Sequence, residues 1–294
     1  MNPQQLQKFK ILVFGSTGWI GSQVVEFLKK ENHDLILSNI RLENYSDIIN
    51  EFNKYPDLTH CLIAAGLTGI PNVDWCQDHK DETLRINVIA TAIIGDLCYR
   101  KNIHLTYLGS GCIYSYNDEH PIGGSGFKED DEPNFDGSFY SYTKILIEKI
   151  LKVYTTSLIL RIRMPLSDDL HKKNFITKIS SYQKVVNIPN SMTVLYDLLP
   201  LIPDMMKNRL MGIFNFTNPG AISHNEILDL YQKYIDPNFK YTNFSIDEHD
   251  KILKAKRSNN YLDTTKISTY YPNIPNIQDS IKEVFKRMQK NLSL

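Results

Sequence analysis

Short, mostly apolar runs alternate with amphipathic segments along the first half of the chain. Such runs are typical of strands buried on both faces of a parallel sheet. They predict strands at Lys10–Gly15, Leu35–Ser38, Thr59–Ala65, Ile103–Leu108 and Ser157–Ile162. Apolar residues at helical spacing between the runs predict helices at Gln23–Lys30, Ser46–Lys54, Asp81–Lys101 and Ser141–Tyr154.

This alternation predicts an α/β fold, a Rossmann-type doubly wound parallel sheet with helices on both faces. We expect residues 1–165 to form the nucleotide-binding domain. The chain is less regular beyond this point, and 166–211 and 236–294 are expected to form a smaller C-terminal lobe. A strand-like run at Gly212–Phe216 predicts that 212–235 return to the first domain.

Charge and cysteine content exclude several classes of function. Lys and Arg together number 33, as do Asp and Glu, so the formal net charge is zero. A nucleic-acid binder usually carries a basic excess, so we do not expect nucleic acid as a main ligand. No run approaches the ~20 apolar residues of a membrane span, and the N-terminus lacks the apolar core of a secretory signal. The four cysteines form no CxxC pair, so we predict no metal site and a cytoplasmic protein with reduced thiols.

A glycine-rich loop separates the first predicted strand from the first predicted helix. It reads Gly15-Ser16-Thr17-Gly18-Trp19-Ile20-Gly21. Glycines allow a tight turn and a close backbone approach to a ligand, and the following helix N-terminus attracts a pyrophosphate. The alternative is a turn that serves only close packing of strand and helix, but the position after the first strand favours a bound dinucleotide.

The end of the second strand indicates which dinucleotide binds. Sites specific for NAD place an acidic residue there, on the ribose 2′-hydroxyl, but this chain has Ser38 and then Arg41. A guanidinium suits a 2′-phosphate, so we predict NADPH in preference to NADH; the alternative is that Arg41 is a solvated surface charge. Ala64, Ala65 and Gly66, at the end of the third strand, are expected to pass close to the cofactor.

A tyrosine and a lysine lie one helical turn apart in Tyr140-Ser-Tyr-Thr-Lys144. An ammonium group favours the phenolate, so Lys144 is expected to lower the pKa of Tyr140 and let it exchange a proton with a carbonyl or alcohol. Ser110, at the end of the fourth strand, is expected to hydrogen-bond the same substrate oxygen. Such a pair arises by chance among 17 tyrosines, but the order of glycine loop, serine and Tyr/Lys pair indicates one site.

The loop, the serine and the Tyr/Lys pair resemble those of the extended short-chain dehydrogenase/reductases, in which the tyrosine and lysine also contact the cofactor. Longer strings resemble one subgroup, the bifunctional nucleotide-4-keto-6-deoxyglucose 3,5-epimerase/4-reductases of UDP-rhamnose synthesis. These strings are Ala64–Cys76, Gly123–Glu129, Pro133–Tyr140, Arg163–Pro165, Asn174–Lys178 and Phe216–Gly220. The resemblance covers nearly the whole chain.

The resemblance implies a two-stage reaction on UDP-4-keto-6-deoxyglucose or its dTDP counterpart. The C4 ketone acidifies the protons at C3 and C5, which a base removes and an acid returns on the opposite face. NADPH then reduces C4 while Tyr140 protonates the oxygen, giving UDP-β-L-rhamnose. The resemblance also implies an upstream 4,6-dehydratase that supplies the ketone, and a homodimer joined through the helices predicted at Asp81–Lys101 and Ser141–Tyr154.

Cys112 and Lys178 are the candidates for the base and the acid of epimerisation. Cys112 lies two residues after Ser110, where the related GDP-fucose synthases carry a cysteine that takes part in epimerisation. Those enzymes use a histidine as the acid, and Asn174–Lys178 contains none; Lys178 fits the rhamnose subgroup, with His171 as its rival. The alternatives are a buried core thiol and two solvated side chains.

Asn174 and Arg257 are expected to bind the nucleotide diphosphate or the sugar, together with Ser110, Cys112 and Lys178. A forked guanidinium suits a diphosphate, and a surface charge is the alternative for Arg257. A 4,6-dehydratase is disfavoured, because Gly111-Cys112 occupies the place of the Asp-Glu pair of those enzymes. Two other functions stay open: a monofunctional 4-reductase that relies on a separate epimerase, and a non-catalytic NADPH-binding sensor.

Overall fold

The computed structural model describes residues 8–292, apart from the side chains of Ile246, Asp247 and Asp250. The start of the segment considered above for a secretory signal lies outside the described residues. The strands are β1 Lys10–Phe14, β2 Asp34–Ser38, β3 His60–Ile63, β4 His104–Ser110, β5 Ser157–Ile162, β6 Lys184–Val185, β7 Pro189–Asn190, β8 Gly212–Asn215, β9 Ile222–Ser223 and β10 Thr242–Asn243. The helices are α1 Trp19–Lys30, α2 Tyr45–Lys54, α3 Trp75–Asp78, α4 Lys80–Leu84, α5 Thr91–Arg100, α6 Phe139–Leu151, α7 Phe175–Ile179, α8 Leu195–Leu198, α9 Ile202–Lys207, α10 His224–Tyr234, α11 Ile246–Ile252, α12 Thr265–Tyr270 and α13 Ile277–Leu292.

Six of these strands form one parallel sheet, in the order β2-β1-β3-β4-β5-β8. Each neighbouring pair is parallel, and the chain changes direction across the sheet between β1 and β3. In open sheets of this kind, ligands bind outside the carboxyl ends of the strands at such a reversal. The predicted α/β fold with a doubly wound parallel sheet is confirmed.

The predicted strands of the first domain all form, with small differences at their ends. The fourth runs to Ser110 rather than Leu108, so the candidate serine is its last residue. The first helix begins at Trp19 rather than Gln23, because Gly18 takes the extended conformation of an N-cap and the glycine loop leads directly into the helix. The helix predicted at Asp81–Lys101 is divided by a π-helical turn at Arg85–Ala90.

That π-helical turn carries Asn87, which is buried. The Asn87 side chain accepts a hydrogen bond from the Leu67 N–H at 2.8 Å and donates one to the Leu67 carbonyl at 2.9 Å. Both polar groups of one amide are therefore used to hold the segment that follows β3. This contact fixes Gly66, where that segment borders the site described below.

Packing divides the molecule between the sheet and a C-terminal core. Apolar side chains of α8 and α9 pack with α1 over one face of the sheet, and β8 extends the sheet beyond β5. In contrast, α10 packs on α13 in a separate core that also includes Ile176 and Ile179 of α7. Apolar side chains of α8, α9 and β8 therefore pack in the same core as the sheet. The exact domain limits stay a prediction.

Candidate active site

Two adjoining cavities open at the carboxyl ends of the central strands. The inner cavity, of about 230 Å³, lies against the glycine loop and the ends of β3 and β4. The outer cavity, of about 320 Å³, lies between the sheet and the C-terminal lobe. Cys112, Tyr140 and Lys178 line both cavities. A third cavity of about 320 Å³, called the rim cavity here, lies beside the end of β2.

The glycine loop has the geometry of a phosphate cradle. Gly15 has φ +83°, and a Cβ there would lie 2.5 Å from the Ala65 nitrogen. A Cβ on Gly21 would lie 2.1 Å from the Gly15 carbonyl oxygen. No side chain caps the N-terminus of α1, and its first turn contains no acidic residue. The amide donors of that turn are therefore left for an anionic ligand, which fits a pyrophosphate.

The predicted cofactor-binding residues fall into two of the cavities. The inner cavity is lined by Gly18, Trp19, Ile20, Gly21, Ala64, Ala65, Gly66, Tyr140 and Lys144. The rim cavity is lined by Gly15, Thr17, Ser38, Arg41, Ala65 and Gly66. Arg41 is exposed, and its guanidinium lies 3.5 Å from the Glu43 carboxylate, a contact weak enough for a phosphate to displace.

Tyr140 and Lys144 lie in the first two turns of α6, but their electrostatics differ from the expectation. Burial raises the pKa of Tyr140, and a hydrogen bond with Ser110 only moderates the effect. The Lys144 ammonium donates to the Tyr107 hydroxyl at 2.7 Å, and burial lowers the pKa of Lys144 to about 8. The predicted net lowering of the Tyr140 pKa was wrong, because desolvation of the phenolate dominates. The phenol is held protonated, the form that donates a proton to an alkoxide.

The backbone around Cys112 is held on both sides. The Ser110 hydroxyl accepts a hydrogen bond from the Cys112 N–H at 3.1 Å. The Ser141 hydroxyl donates to the Cys112 carbonyl at 2.6 Å, which ties the cysteine to the start of α6. The thiol is only partly buried, and its sulfur accepts a hydrogen bond from Arg163 at 3.3 Å. Cys112 is therefore a fixed thiol at the junction of the two cavities.

Lys178 reaches the cavities from α7. Burial lowers the pKa of its ammonium, and the nearby charges of Lys173 and Arg257 act in the same direction. Asn174 is the N-cap of this helix, since its side-chain oxygen accepts from the Ile176 N–H at 3.2 Å. Its amide nitrogen donates to the Ser167 and Asp169 carbonyls at 2.8 and 2.6 Å. Asn174 is completely buried and lines neither cavity, so the structure does not bring it to the site.

His171 lies against the glycine loop rather than in the cavities. Its ring stacks on Trp19, with ring centres 5.2 Å apart and planes 4° from parallel. The Trp19 indole donates to the Asp169 carboxylate at 2.9 Å. These two contacts join the loop before α7 to the start of α1, and His171 is not among the residues that line the inner or outer cavity.

Arg257 lines the outer cavity in a forked ion pair with Asp74. Its two terminal nitrogens lie 2.7 and 3.0 Å from the two carboxylate oxygens, and this pairing lowers the pKa of Asp74. Sequence reasoning missed Asp74, although it lies in the Ala64–Cys76 string. It also missed the Lys144 partner Tyr107, which no sequence signal identifies.

Comparison with known proteins gives the family of the chain. The model of the NAD dependent epimerase/dehydratase family matches residues 11–164. The chain is 47% identical to an Arabidopsis thaliana bifunctional dTDP-4-dehydrorhamnose 3,5-epimerase/dTDP-4-dehydrorhamnose reductase, over 98% of this chain and 97% of that protein. It is also 47% identical to an Arabidopsis trifunctional UDP-glucose 4,6-dehydratase/UDP-4-keto-6-deoxy-D-glucose 3,5-epimerase/UDP-4-keto-L-rhamnose-reductase, over 95% of this chain but only 42% of that protein.

Solved structures agree with this assignment. A crystal structure of a UDP-rhamnose synthase from Acanthamoeba polyphaga mimivirus has a TM-score of 0.89 and 37% identity, over 96% of this chain and 100% of that chain. A dTDP-4-dehydrorhamnose reductase from Bacillus anthracis, in complex with NADP, has a TM-score of 0.79 over 95% and 99% of the two chains, and at 18% identity it supports the fold alone. The resemblance inferred from the motifs is confirmed: the chain belongs to the NAD dependent epimerase/dehydratase family, and its relatives include a bifunctional 3,5-epimerase/reductase that is 47% identical to it.

Proposed function

We propose that the protein converts UDP-4-keto-6-deoxy-D-glucose to UDP-β-L-rhamnose, by 3,5-epimerisation and then NADPH-dependent reduction at C4. The observation that carries this proposal is the convergence of Cys112, Tyr140 and Lys178 on the same two cavities. Proton-transfer groups for both stages thus meet at one place. We propose a UDP sugar rather than a dTDP sugar as the substrate because the mimivirus synthase and the trifunctional plant relatives are named for UDP sugars.

The inner and rim cavities fit NADPH, which when bound supplies the hydride that reduces C4. The glycine loop binds its pyrophosphate through the free amides of α1, and Arg41 pairs with the 2′-phosphate. Ser110 and Tyr140 hold the C4 oxygen, and Tyr140 gives up its phenolic proton as negative charge develops there. The Lys144 ammonium stabilises the phenolate that results.

Epimerisation requires a base and an acid on opposite faces of the sugar ring. The Cys112 thiolate removes a proton from C3 or C5, and the electron pair of the broken C–H bond becomes an enolate at the C4 ketone. Lys178 returns a proton to the other face of the carbon, and its lowered pKa eases that transfer. Asn174 keeps α7 in register with the site, and Arg257 faces the diphosphate in the outer cavity.

The proposal extends to partners and location. An upstream 4,6-dehydratase supplies the unstable ketone. A homodimer forms through α5, α6 and the π-helical turn, where Ile89, Tyr99 and Tyr142 are exposed. No disulfide links the four cysteines, which supports a cytoplasmic location.

Two ketones distinguish the candidate functions. NADPH oxidation is followed with UDP-4-keto-6-deoxy-D-glucose and with its epimerised product, UDP-4-keto-L-rhamnose, for the wild type and Cys112→Ala. A bifunctional enzyme reduces both, and Cys112→Ala reduces only the epimerised ketone because it lacks the base. A monofunctional reductase would act only on the epimerised ketone even as wild type, and a sensor would oxidise no NADPH with either. Cys98→Ala, which changes a buried thiol of the sheet core, is the matched control and keeps both activities.

A further inference from the structure

Arg161 and Arg163 are two buried cations at the end of β5, each 1% exposed. Burying a charge is costly unless an anion and hydrogen bonds compensate for the lost water. Arg161 has such an anion, since it donates to the two Glu148 carboxylate oxygens at 3.0 and 2.7 Å. Arg163 has no carboxylate partner among residues 8–292 and is held instead by the groups described next.

The hydrogen-bond acceptors of Arg163 are carbonyl, hydroxyl and amide oxygens and one thiol sulfur. One terminal nitrogen donates to the Ser258 carbonyl at 2.7 Å and to the Asn190 side-chain oxygen. The other donates to the Ser258 hydroxyl at 3.1 Å, to the Gly111 carbonyl at 3.4 Å and to the Cys112 sulfur at 3.3 Å. Of these acceptors, only the Cys112 thiol can lose a proton and become an anion. Cys112 is thus the one hydrogen-bond partner of Arg163 that is able to carry a negative charge.

We propose that Arg163 is a positioning residue that holds Cys112 as a thiolate directed at the substrate. A guanidinium stays protonated at all physiological pH values, and charge-assisted hydrogen bonds are stronger than neutral ones. The network through Asn190 and Ser258 also prevents the guanidinium from moving away from the sulfur. Fixed charge and fixed geometry together make the sulfur a base that is ready before substrate arrives.

Other ionisable groups around the sulfur do not replace this contact. From α6, Tyr140 is neutral and the Lys144 ammonium is hydrogen-bonded to Tyr107. The remaining cations that line the cavities with Cys112 come from α7 and the loop before it, from β6 and from the segment between α11 and α12; they are Lys173, Lys178, Lys184, Lys256 and Arg257. Besides Tyr140, the ionisable rings that line the outer cavity are Tyr182, His224 and His249. Arg163 alone among the cations of the described chain donates a hydrogen bond to the sulfur.

Only the effect of this thiolate on epimerisation rests on the proposed function. In the epimerisation step an S–H bond forms at Cys112 while the C–H bond at C3 or C5 breaks, and the electron pair passes to the enolate. Lys178 then loses a proton to the carbon. Arg163 exchanges no proton, so its contribution is to the thiolate that exists before the step.

The ionisation of Cys112 can be measured without substrate, so its outcome is independent of the proposed function. The rate of alkylation by iodoacetamide is followed against pH on the full-length protein, with Cys112→Ala as the background from the other, buried cysteines. The expected midpoint of reactivity lies at least about one pH unit below the ~8.5 of an ordinary cysteine. A wild-type midpoint at or above 8.5 overturns the proposal, whether or not any variant folds.

Substitution of Arg163 tests whether this residue is what lowers the midpoint of Cys112 alkylation. Arg163→Met is expected to raise the midpoint by about one unit or more, with about a tenfold lower alkylation rate at pH 7, whereas Arg163→Lys keeps most of the wild-type value. Arg163→Met should also slow solvent deuterium exchange into UDP-4-keto-6-deoxy-D-glucose while it still reduces UDP-4-keto-L-rhamnose. An unchanged midpoint in folded Arg163→Met, checked by circular dichroism, would assign the thiolate to another group and reject this role.

Discussion

At the scale of single residues, burial outweighs the neighbouring charge at Tyr140. The sequence places the tyrosine and lysine one turn apart, and from that spacing alone a lowered tyrosine pKa follows. The spacing does not show that the Tyr140 phenol is buried, which raises its pKa. Nor does it show that the Lys144 ammonium donates a hydrogen bond to the Tyr107 hydroxyl. The residue types and positions were predictable, whereas their protonation depended on the surrounding core.

Tyr140→Phe tests the role of this phenol as the proton donor. The variant keeps the ring and loses only the hydroxyl, so NADPH oxidation with UDP-4-keto-L-rhamnose should fall by about 10²–10⁴-fold, the usual contribution of a general acid. The matched control is Tyr142→Phe, on the same helix but outside the inner and outer cavities, which should stay within about twofold of the wild type. Equal rates for Tyr140→Phe and the wild type would assign the proton to another group.

At the scale of elements, the strands were predictable because their apolar runs are bounded by glycine or polar turns. Helix ends were less predictable: α1 includes part of the glycine loop, and the π-helical turn at Arg85–Ala90 has no signature in the apolar spacing. The side-chain partners of the two arginines at the end of β5 could not be predicted from the sequence either. Arg161 and Arg163 look alike in sequence, yet the first pairs with Glu148 on α6 and the second with Cys112 beyond β4.

The buried ion pair between Arg161 of β5 and Glu148 of α6 is expected to stabilise the fold. Glu148→Gln leaves the Arg161 guanidinium buried without its main anion, which should lower the free energy of unfolding by about 3–5 kcal/mol. Urea denaturation followed by circular dichroism measures the change. In the control Glu132→Gln, the altered pair with Lys149 is exposed on both sides, so a loss of no more than about 1 kcal/mol is expected. Equal losses of unfolding free energy in the two variants would mean that the buried pair does not stabilise the contact between β5 and α6.

At the scale of the whole molecule, the site forms where distant segments meet. Arg257 and Asp74 are 183 positions apart, and Arg163 meets Ser258 over 95 positions. No periodicity connects such segments, so the sequence predicted the motif-bearing residues but not the contacts that hold them. Asn174 illustrates the difference: its motif suggested a ligand for substrate, and its surroundings make it the cap of α7.

In the proposed function, one site both epimerises and reduces the sugar. The most direct test is to incubate the purified protein with UDP-4-keto-6-deoxy-D-glucose and NADPH in D2O, and to examine the product by NMR. The expected product is UDP-β-L-rhamnose with deuterium at C3 and C5, introduced during proton return, and protium at C4, delivered from NADPH. A reduced 6-deoxyhexose that keeps protium at C3 and C5 would show that this site does not epimerise the sugar, and recovery of unreduced ketone would show that it does not reduce it.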